Sequence, residues 1–387
     1  MIKFLFSTII YLIFAGSMFV LGEVAKSESF KDNKPKSFNL GTILIVTVFT
    51  LFSGLRYGVG VDYFSYLNYY LELKNGLPIA PLYDNFEPLF VGIASFLAYC
   101  KASPIIYFAF WALLQVTLFY YGLKDRKFIY PFIGLVLILG GYYLSWMNGI
   151  RQVIVACAFV MISHYIVKHK FIKYLLAVLL CTLMHRSAII LILFYFIPIK
   201  DYFKNKYLCI GILLLCAVLG QMAVLKDSLD FIEPILSNLG YDSYADNFTN
   251  IIESESSRTY GPRRFVLLLT NILIIWFSPQ IKEKYGDKYF IFGYNMFFIY
   301  ICLSDLLSNV SYLFLRPLFY LNPFVLIMTG YLLAYLSQQK TLSLKIIFII
   351  ALIVSCSYMA IECVACYNLP DERSMYKSIL FNEFKHT

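Results

Sequence analysis

Residues 2–22 read IKFLFSTIIYLIFAGSMFVLG, an apolar run with a single charged side chain, Lys3. At the rise of an α-helix, the run is long enough to cross a hydrocarbon core of about 30 Å. It is too long for a signal peptide and ends without a small-residue cleavage motif, so we expect a retained membrane span. A bilayer permits only helices or a closed barrel, and apolar runs of about 20 residues favour helices.

Similar runs recur along the chain, which is 60% hydrophobic and 14% charged, with a mean hydropathy of +0.72. Soluble domains carry about 25% charged residues, so this composition is typical of a membrane protein. The sequence predicts an all-α fold, with residues 1–387 as a single transmembrane domain of about twelve spans. We place the spans at residues 2–22, 39–55, 104–123, 128–146, 150–167, 171–185, 187–199, 207–224, 263–278, 288–306, 317–336 and 342–361.

Basic clusters predict the orientation of these spans. The clusters lie in connections at residues 124–127, 168–173, 200–206, 282–288 and 340–345. The positive-inside rule places them all in the cytoplasm, and the spans between them agree with that placement. Both chain ends are then predicted outside. The net charge of +9 is explained by lysines that face anionic lipid, so we expect no nucleic acid partner.

The apolar segment at residues 87–101 is short for a span. As a helix it covers about 22 Å, less than the hydrocarbon core, and counting it as a span would place a basic cluster on the wrong side. We therefore predict an interfacial or re-entrant helix. Two long outer loops, residues 56–103 and 223–262, then form the predicted extracytoplasmic face.

Arginine distinguishes the two predicted faces. Arg126 is the only arginine that we place inside, and every other arginine of the chain falls outside. Lysine is sufficient for orientation, whereas the planar guanidinium group donates paired hydrogen bonds to phosphate. The outer face is therefore predicted to bind an anionic substrate. The candidate phosphate ligands, each in a different outer segment, are Arg56, Arg151, Arg186 and Arg316.

The first long outer loop begins GLRYGVGVDYFSY at residues 54–66. Asp62 could act as a base or bind a sugar, or it could form a salt bridge with Arg56 that only fixes the loop. Tyr57 and Tyr66 could stack against sugar rings, but an interfacial aromatic belt explains them equally well.

Polar groups also occur in the next outer connections. Residues 146–152 read WMNGIRQ, in which Asn148 and Arg151 can share a helix face and Gln152 opens an apolar run. His185 lies in a hairpin between two short spans. A neutral imidazole can accept a proton, although an isolated histidine is more often structural.

Asp305 and Arg316 flank a later outer turn, where they either form an ion pair inside the bundle or leave Arg316 to bind phosphate.

No metal or other cofactor is predicted, because the histidines lack the spacing of zinc ligands and most cysteines lie inside apolar spans. Cys363 and Cys366 form a CxxC pair, which fits a disulfide or two free thiols.

The order of these motifs resembles the EpsG family of exopolysaccharide polymerases, which are relatives of the Wzy O-antigen and capsule polymerases. Many Wzy polymerases have two long arginine-rich outer loops with an R-x10-G motif, and this sequence lacks that pair, so it is more similar to EpsG. The resemblance covers residues of about 40 to 330, and its motifs are GLRYGVGVDY at 54–63, FEP at 86–88, NGIRQ at 148–152, HRSA at 185–188, and Arg316 with Tyr320.

This resemblance implies a metal-independent glycosyltransferase of the GT-C type in a bacterial inner membrane, with its active site on the periplasmic face. Its donor and acceptor would be glycans on undecaprenyl pyrophosphate, and a flippase and a chain-length regulator would be its partners. The arginines named above would stabilise the leaving pyrophosphate, and Asp62, or as second choice His185, would take the acceptor proton. Sugar-binding or supporting roles would fall to Tyr57, Tyr66, Glu87, Asn148, Gln152, Asp305 and Tyr320.

Other functions fit the same sequence less well. A ligase for lipid-linked oligosaccharides, or another GT-C glycosyltransferase, would use the same arginine-rich outer face. A flippase predicts charged residues along a path through the bilayer and an internal repeat, and the sequence shows neither. A purely structural or sensing protein gives no reason for arginines in four separate outer segments.

Overall fold

The computed structural model describes residues 2–31, 37–80, 83, 86–222, 261–308, 316–366 and 373–380. The all-α prediction is confirmed, since every regular element in these ranges is helical apart from one β-bridge between Arg56 and Ser378. The α-helices are α1 (Ile2–Lys31), α2 (Leu40–Gly54), α3 (Tyr63–Asn75), α4 (Pro88–Tyr99), α5 (Pro104–Gly122), α6 (Tyr130–Leu139), α7 (Tyr142–Met147), α8 (Ile150–Val167), α9 (Phe171–Thr182), α10 (Lys206–Gln221), α11 (Pro262–Tyr285), α12 (Lys288–Leu306), α13 (Asn322–Leu336), α14 (Leu342–Cys356) and α15 (Tyr358–Cys366). The 3₁₀-helices are Lys127–Ile129, Arg186–Phe196 and Pro317–Leu321.

The chain is a multi-pass membrane protein. Among the described residues, 7 helical segments are long and apolar enough to cross a bilayer, and further apolar helices are shorter. Each predicted span overlaps one of these helices. The total of about twelve spans and the GT-C architecture stay predictions. The long segments are Phe4–Phe30, Pro104–Gly122, Ile150–Val167, Pro262–Tyr285, Lys288–Leu306, Pro317–Leu336 and Leu342–Cys366.

The helices α8 and α13 lie at the centre of the bundle, since most of each helix is buried. Both are apolar on all sides, which is typical of a helix surrounded by protein. On one side α1 packs against α2 and α6. On the other side α11 and α12 pack against α13, and α10 packs against α11 and α12. Gly22 and Gly134 allow α1 and α6 to approach closely, because a Cβ atom at either position would collide with the opposite backbone.

Two predicted spans depart from regular α-helix. The span predicted at 128–146 is broken between α6 and α7 at Gly141, whose φ of +80° favours glycine and whose Cα faces the Tyr358 ring. The segment Arg186–Phe196 is a 3₁₀-helix. A 3₁₀-helix rises about 2.0 Å per residue, so this short segment reaches further across the bilayer than an α-helix of the same length.

The first long outer loop contains a helix that we did not predict, α3. Its apolar face carries Tyr63, Tyr66 and Tyr70, which are buried, and it ends at Gly76 in the left-handed region. The segment predicted as an interfacial or re-entrant helix forms the helix α4, which packs against α3, and its position relative to the bilayer stays a prediction. Of the second predicted outer loop, residues 223–260 lie outside the described residues.

The two ends of the described chain meet beside the first outer loop. Residues 373–380 run along residues 55–60, with hydrogen bonds that include Tyr57 N to the Lys377 carbonyl at 2.9 Å. The Tyr376 N–H also donates to Ser7 Oγ in α1, at 2.7 Å. Both described ends therefore lie beside the first outer loop, near the candidate site, and their extracytoplasmic placement stays a prediction. Cys363 and Cys366 are buried free thiols on α15.

Candidate active site

The N-terminus of α8 is fixed by residues of the first outer loop. The Gly149 N–H donates to Asp62 Oδ2 at 2.8 Å, and the Val61 N–H donates to Asn148 Oδ1 at 2.6 Å. A carboxylate at the N-terminus of a helix complements the helix dipole. The predicted alternative, an ion pair between Asp62 and Arg56, is absent from the described structure. Asp62 thus lies at the site and makes a structural contact there.

Glu87 joins three segments of the site. Its carboxylate forms an ion pair with Arg151 at the start of α8, and its other oxygen accepts a hydrogen bond from the Arg186 N–H at 3.1 Å. Glu87 is only 4% exposed, so this ion pair is largely removed from water. A buried ion pair is favourable only where further hydrogen bonds satisfy its atoms, and the Arg186 N–H supplies one of them. The pair therefore brings Arg151 and the 185–187 turn together.

The guanidinium group of Arg151 lies on an aromatic surface. It is 4.1 Å from the centre of the Phe86 ring and 5.6 Å from that of Phe90, and it interacts with Tyr66. These contacts hold the planar group in one orientation. Its Nε atom has no hydrogen-bond partner among the described residues. This Nε atom is buried, but the side chain as a whole is 19% exposed, so part of Arg151 remains accessible to a ligand.

His185 belongs to a compact group with two hydroxyls. Its Nδ1 atom lies 3.0 Å from both Ser187 Oγ and the Tyr320 hydroxyl, and these two oxygens are 2.7 Å apart. Burial lowers the pKa of His185 below its usual range; Glu87 opposes this shift, whereas Arg151 and Arg316 add to it. The imidazole is therefore neutral near pH 7, and a neutral imidazole can accept a proton.

Gln152 positions the segment that carries Tyr320. Its side-chain N–H donates to the backbone carbonyl of Arg316, directly before the 3₁₀-helix Pro317–Leu321. This bond attaches the 3₁₀-helix to α8 and explains a polar side chain in the apolar run that Gln152 opens. The side chain of Arg316 acts electrostatically on His185, and that of Arg186 is exposed beside it. Arg151, Arg186 and Arg316 are thus brought together around Glu87 and His185.

Arg56 lies apart from this group. It is 1% exposed, and its guanidinium group is 4.6 Å from the centre of the Phe108 ring and 5.5 Å from that of Tyr63. Its Nη1 atom donates to the Ser53 carbonyl at 2.7 Å. Burial lowers the pKa of Arg56. Tyr57 also lies on this side of the loop, where its ring packs edge-on against Tyr63.

A polar cavity of about 240 Å³ lies between α7, α11, α12, α13 and α15. Asp305 lines it, and so do Asn271 and Asn322, which the sequence interpretation missed. Asn271 interrupts an apolar span, and a polar side chain within a span is a recognised signal of a functional site. Ser187 was also missed as a site residue, although it belongs to the HRSA motif. Among the described residues, no cluster of three or more acidic, histidine or cysteine side chains could hold a metal ion.

These observations define a class of protein, a helical multi-pass membrane protein with arginines, a glutamate and a neutral histidine at one end of the bundle. The model of the EpsG family matches residues 39–372, which include every candidate site residue, and the chain belongs to that family. A comparison with curated proteins and one with solved structures found no match. Membership supports a role in polysaccharide polymerisation.

Proposed function

We propose that this protein is a glycosyltransferase that lengthens a polysaccharide on the extracytoplasmic face of a bacterial inner membrane. The growing glycan, linked to undecaprenyl pyrophosphate, is transferred to the non-reducing end of a lipid-linked repeat unit. The observation that carries the proposal is the convergence of Arg151, Arg186 and Arg316 around Glu87 and His185, within a chain of the EpsG family.

The arginines stabilise the leaving group. As the anomeric C–O bond breaks, its electron pair stays with the pyrophosphate, where negative charge develops. Donors that are already oriented toward such charge, in a site partly removed from water, lower the barrier by several kcal/mol. Arg151 suits this task because Glu87 and the Phe86 ring fix its orientation while its side chain stays 19% exposed.

His185 takes the proton of the acceptor hydroxyl as its oxygen bonds to the anomeric carbon. Its neutral ring, held beside Ser187 and Tyr320, is in the protonation state that a general base requires. The contacts of Asp62 favour this assignment, since one of its oxygens already accepts the Gly149 N–H. We therefore rank His185 above Asp62, which reverses the order inferred from the sequence. A flippase that delivers the repeat units and a chain-length regulator are the partners that this reaction requires.

Deletion of the gene tests the proposed function. We expect single repeat units to accumulate on the lipid carrier, with no long chains in a gel of the surface polysaccharide. A plasmid copy should restore long chains, and an Arg151→Ala copy at the same protein level should not. Long chains that persist but stay unattached to their final acceptor would instead identify a ligase, and repeat units confined to the inner leaflet would identify a flippase.

A further inference from the structure

The polar cavity beside the candidate active site takes no part in the proposed glycosyl transfer. It shares a wall with that site, the 3₁₀-helix Pro317–Leu321. Tyr320 of this helix contacts His185, whereas the neighbouring Phe319 lines the cavity. A molecule in the cavity would therefore contact the same 3₁₀-helix that holds Tyr320 against His185.

Hydrogen-bond acceptors in the cavity lack partners. Asn271 is 8% exposed, and its Oδ1 atom accepts no hydrogen bond from the described residues. The Asn322 amide donates to the Tyr300 hydroxyl at 2.8 Å, but its own Oδ1 atom is buried and likewise lacks a donor within the described structure. Buried acceptors are rarely left without a donor, because they lose their hydrogen bonds to water. The cavity is therefore suited to a ligand that donates.

The charges of the cavity offset each other. Arg264 lines it together with Asp305, on which it acts electrostatically. The amides of Asn271 and Asn322 lie among tyrosine rings and serine hydroxyls, and this mixed lining suits the hydroxyl groups of a sugar. Phosphate oxygens mainly accept hydrogen bonds, so they fit the arginine cluster better than a cavity in which Arg264 lies with Asp305. The two neighbouring sites thus differ in the chemistry that they recognise.

We propose that the cavity binds one sugar residue of the lipid-linked repeat unit and holds it against the 3₁₀-helix that carries Tyr320. The volume of about 240 Å³ is smaller than the ~300–1,000 Å³ of sites for drug-sized ligands, so it suits about one sugar ring. This assignment rests on the proposed function, because it takes the glycan of that reaction as the ligand. Asn271 and Asn322 accept hydrogen bonds from the sugar hydroxyls and so contribute to specificity.

Binding to the full-length protein in nanodiscs tests the assignment. The probes are the repeat-unit oligosaccharide, released from its lipid by mild acid, and inorganic pyrophosphate. Asn271→Leu and Asn322→Leu each remove an acceptor, and we expect each to weaken oligosaccharide binding at least about fivefold. Pyrophosphate affinity should be unchanged in both variants. Thermal unfolding of each variant checks that it is folded.

Asn295→Leu is the matched control. Asn295 lies on α12 and is 3% exposed. Like Asn271 and Asn322 it has an Oδ1 atom without a described donor, but its amide donates to the Lys200 carbonyl. It is ten residues before Asp305, about 15 Å along the helix, and it does not line the cavity. We expect this control to bind the oligosaccharide as the wild type does.

Three results would overturn the sugar site: no oligosaccharide binding by the wild type, wild-type affinity in both cavity variants, or an equal loss in Asn295→Leu. The proposed function is tested separately by incubating the wild-type protein with the lipid-linked repeat unit. If no elongation occurs while the oligosaccharide still binds at Asn271, the polymerase proposal fails and the sugar site stands.

Discussion

Arg56 and Arg151 look alike in the sequence but lie in different surroundings. Each follows a glycine-containing motif at the end of an apolar helix, and each guanidinium group packs on aromatic rings. Arg56 is enclosed by the bundle and by residues 373–380, without an acidic partner among the described residues. Arg151 pairs with Glu87 and is 19% exposed. The surrounding residues therefore determine whether an arginine at the edge of a span is enclosed in the fold or can reach a substrate.

The different surroundings suggest different roles for the two arginines, one in stability and one in substrate binding. Arg56 fills a buried aromatic pocket and hydrogen-bonds to the Ser53 carbonyl, so it stabilises the fold of the first outer loop. Arg151 reaches the polar surface where His185 and Arg316 meet, so it can act on a substrate. These roles would be wrong if substitution of Arg56 abolished activity in a folded protein, or if substitution of Arg151 changed only stability.

The largest effect is expected for His185→Gln, which keeps a polar side chain but removes the proton acceptor. The rate of elongation of a lipid-linked repeat by the purified protein should fall about 10²- to 10⁴-fold. Thermal unfolding should change little, since a glutamine can still meet the Tyr320 hydroxyl. A variant that elongates at more than half the wild-type rate would exclude His185 as the base.

The pH profile provides a second measurement of His185. Burial, with Arg151 and Arg316, lowers the pKa of the ring to about 4, so the wild-type rate should fall only as the pH approaches that value. The unfolded chain takes up this proton first, near pH 6.5, so stability is complete above that pH and decreases as the pH falls toward 4. An activity midpoint near pH 6.5 would contradict the buried, neutral ring.

Arg151→Lys should have the next largest effect. Lysine keeps the charge but cannot stack on Phe86 while pairing with Glu87, and we expect the rate to fall about 100-fold. Arg126→Lys is the matched control, because Arg126 also pairs with a carboxylate, Asp287, and lies 4.1 Å from an aromatic ring. Arg126 belongs to the predicted inner face. Equal losses in the two variants would show a general structural effect.

Asp62→Asn should have a small effect. The asparagine oxygen can still accept the Gly149 N–H, and the lost charge near the α8 N-terminus is worth about 0.3–1 kcal/mol. We expect elongation to stay within about fivefold of the wild type. A thousandfold loss with an unchanged melting temperature would reverse the ranking and make Asp62 the base.

The sequence was sufficient to predict the helical class and nearly every helix, because apolar runs and lysine clusters are local signals. The sequence was also sufficient to identify the EpsG family, since the ordered motifs fall within the matched residues 39–372. The helix α3 was missed because its buried tyrosines look like an interfacial belt. Those tyrosines pack against α4, which is a tertiary contact that no local pattern reveals.

The site was only partly predictable for the same reason. Asn148, Gln152 and Tyr320 lie near the arginines in the structure, but the contacts that position them connect residues far apart in the sequence, and their roles in substrate binding stay predictions. Asp62 and Arg56 seemed a natural salt bridge because six residues separate them. In the structure each has another partner, and burial of Arg56 behind residues 373–380 depends on the other end of the chain.

The smallest effect on activity is expected for Arg56→Met, and it tests the comparison most directly. Methionine replaces the long side chain with a similar volume and removes a buried charge, so the free energy of unfolding should be unchanged or about 1 kcal/mol higher. Elongation should stay within about twofold of the wild type. Arg56→Ala leaves a cavity between Tyr63 and Phe108 and should cost about 2–4 kcal/mol. The same methionine at position 151 should lower the rate of elongation at least about 100-fold. If Arg56→Met is well folded and equally inactive, Arg56 binds substrate and the two arginines share one role.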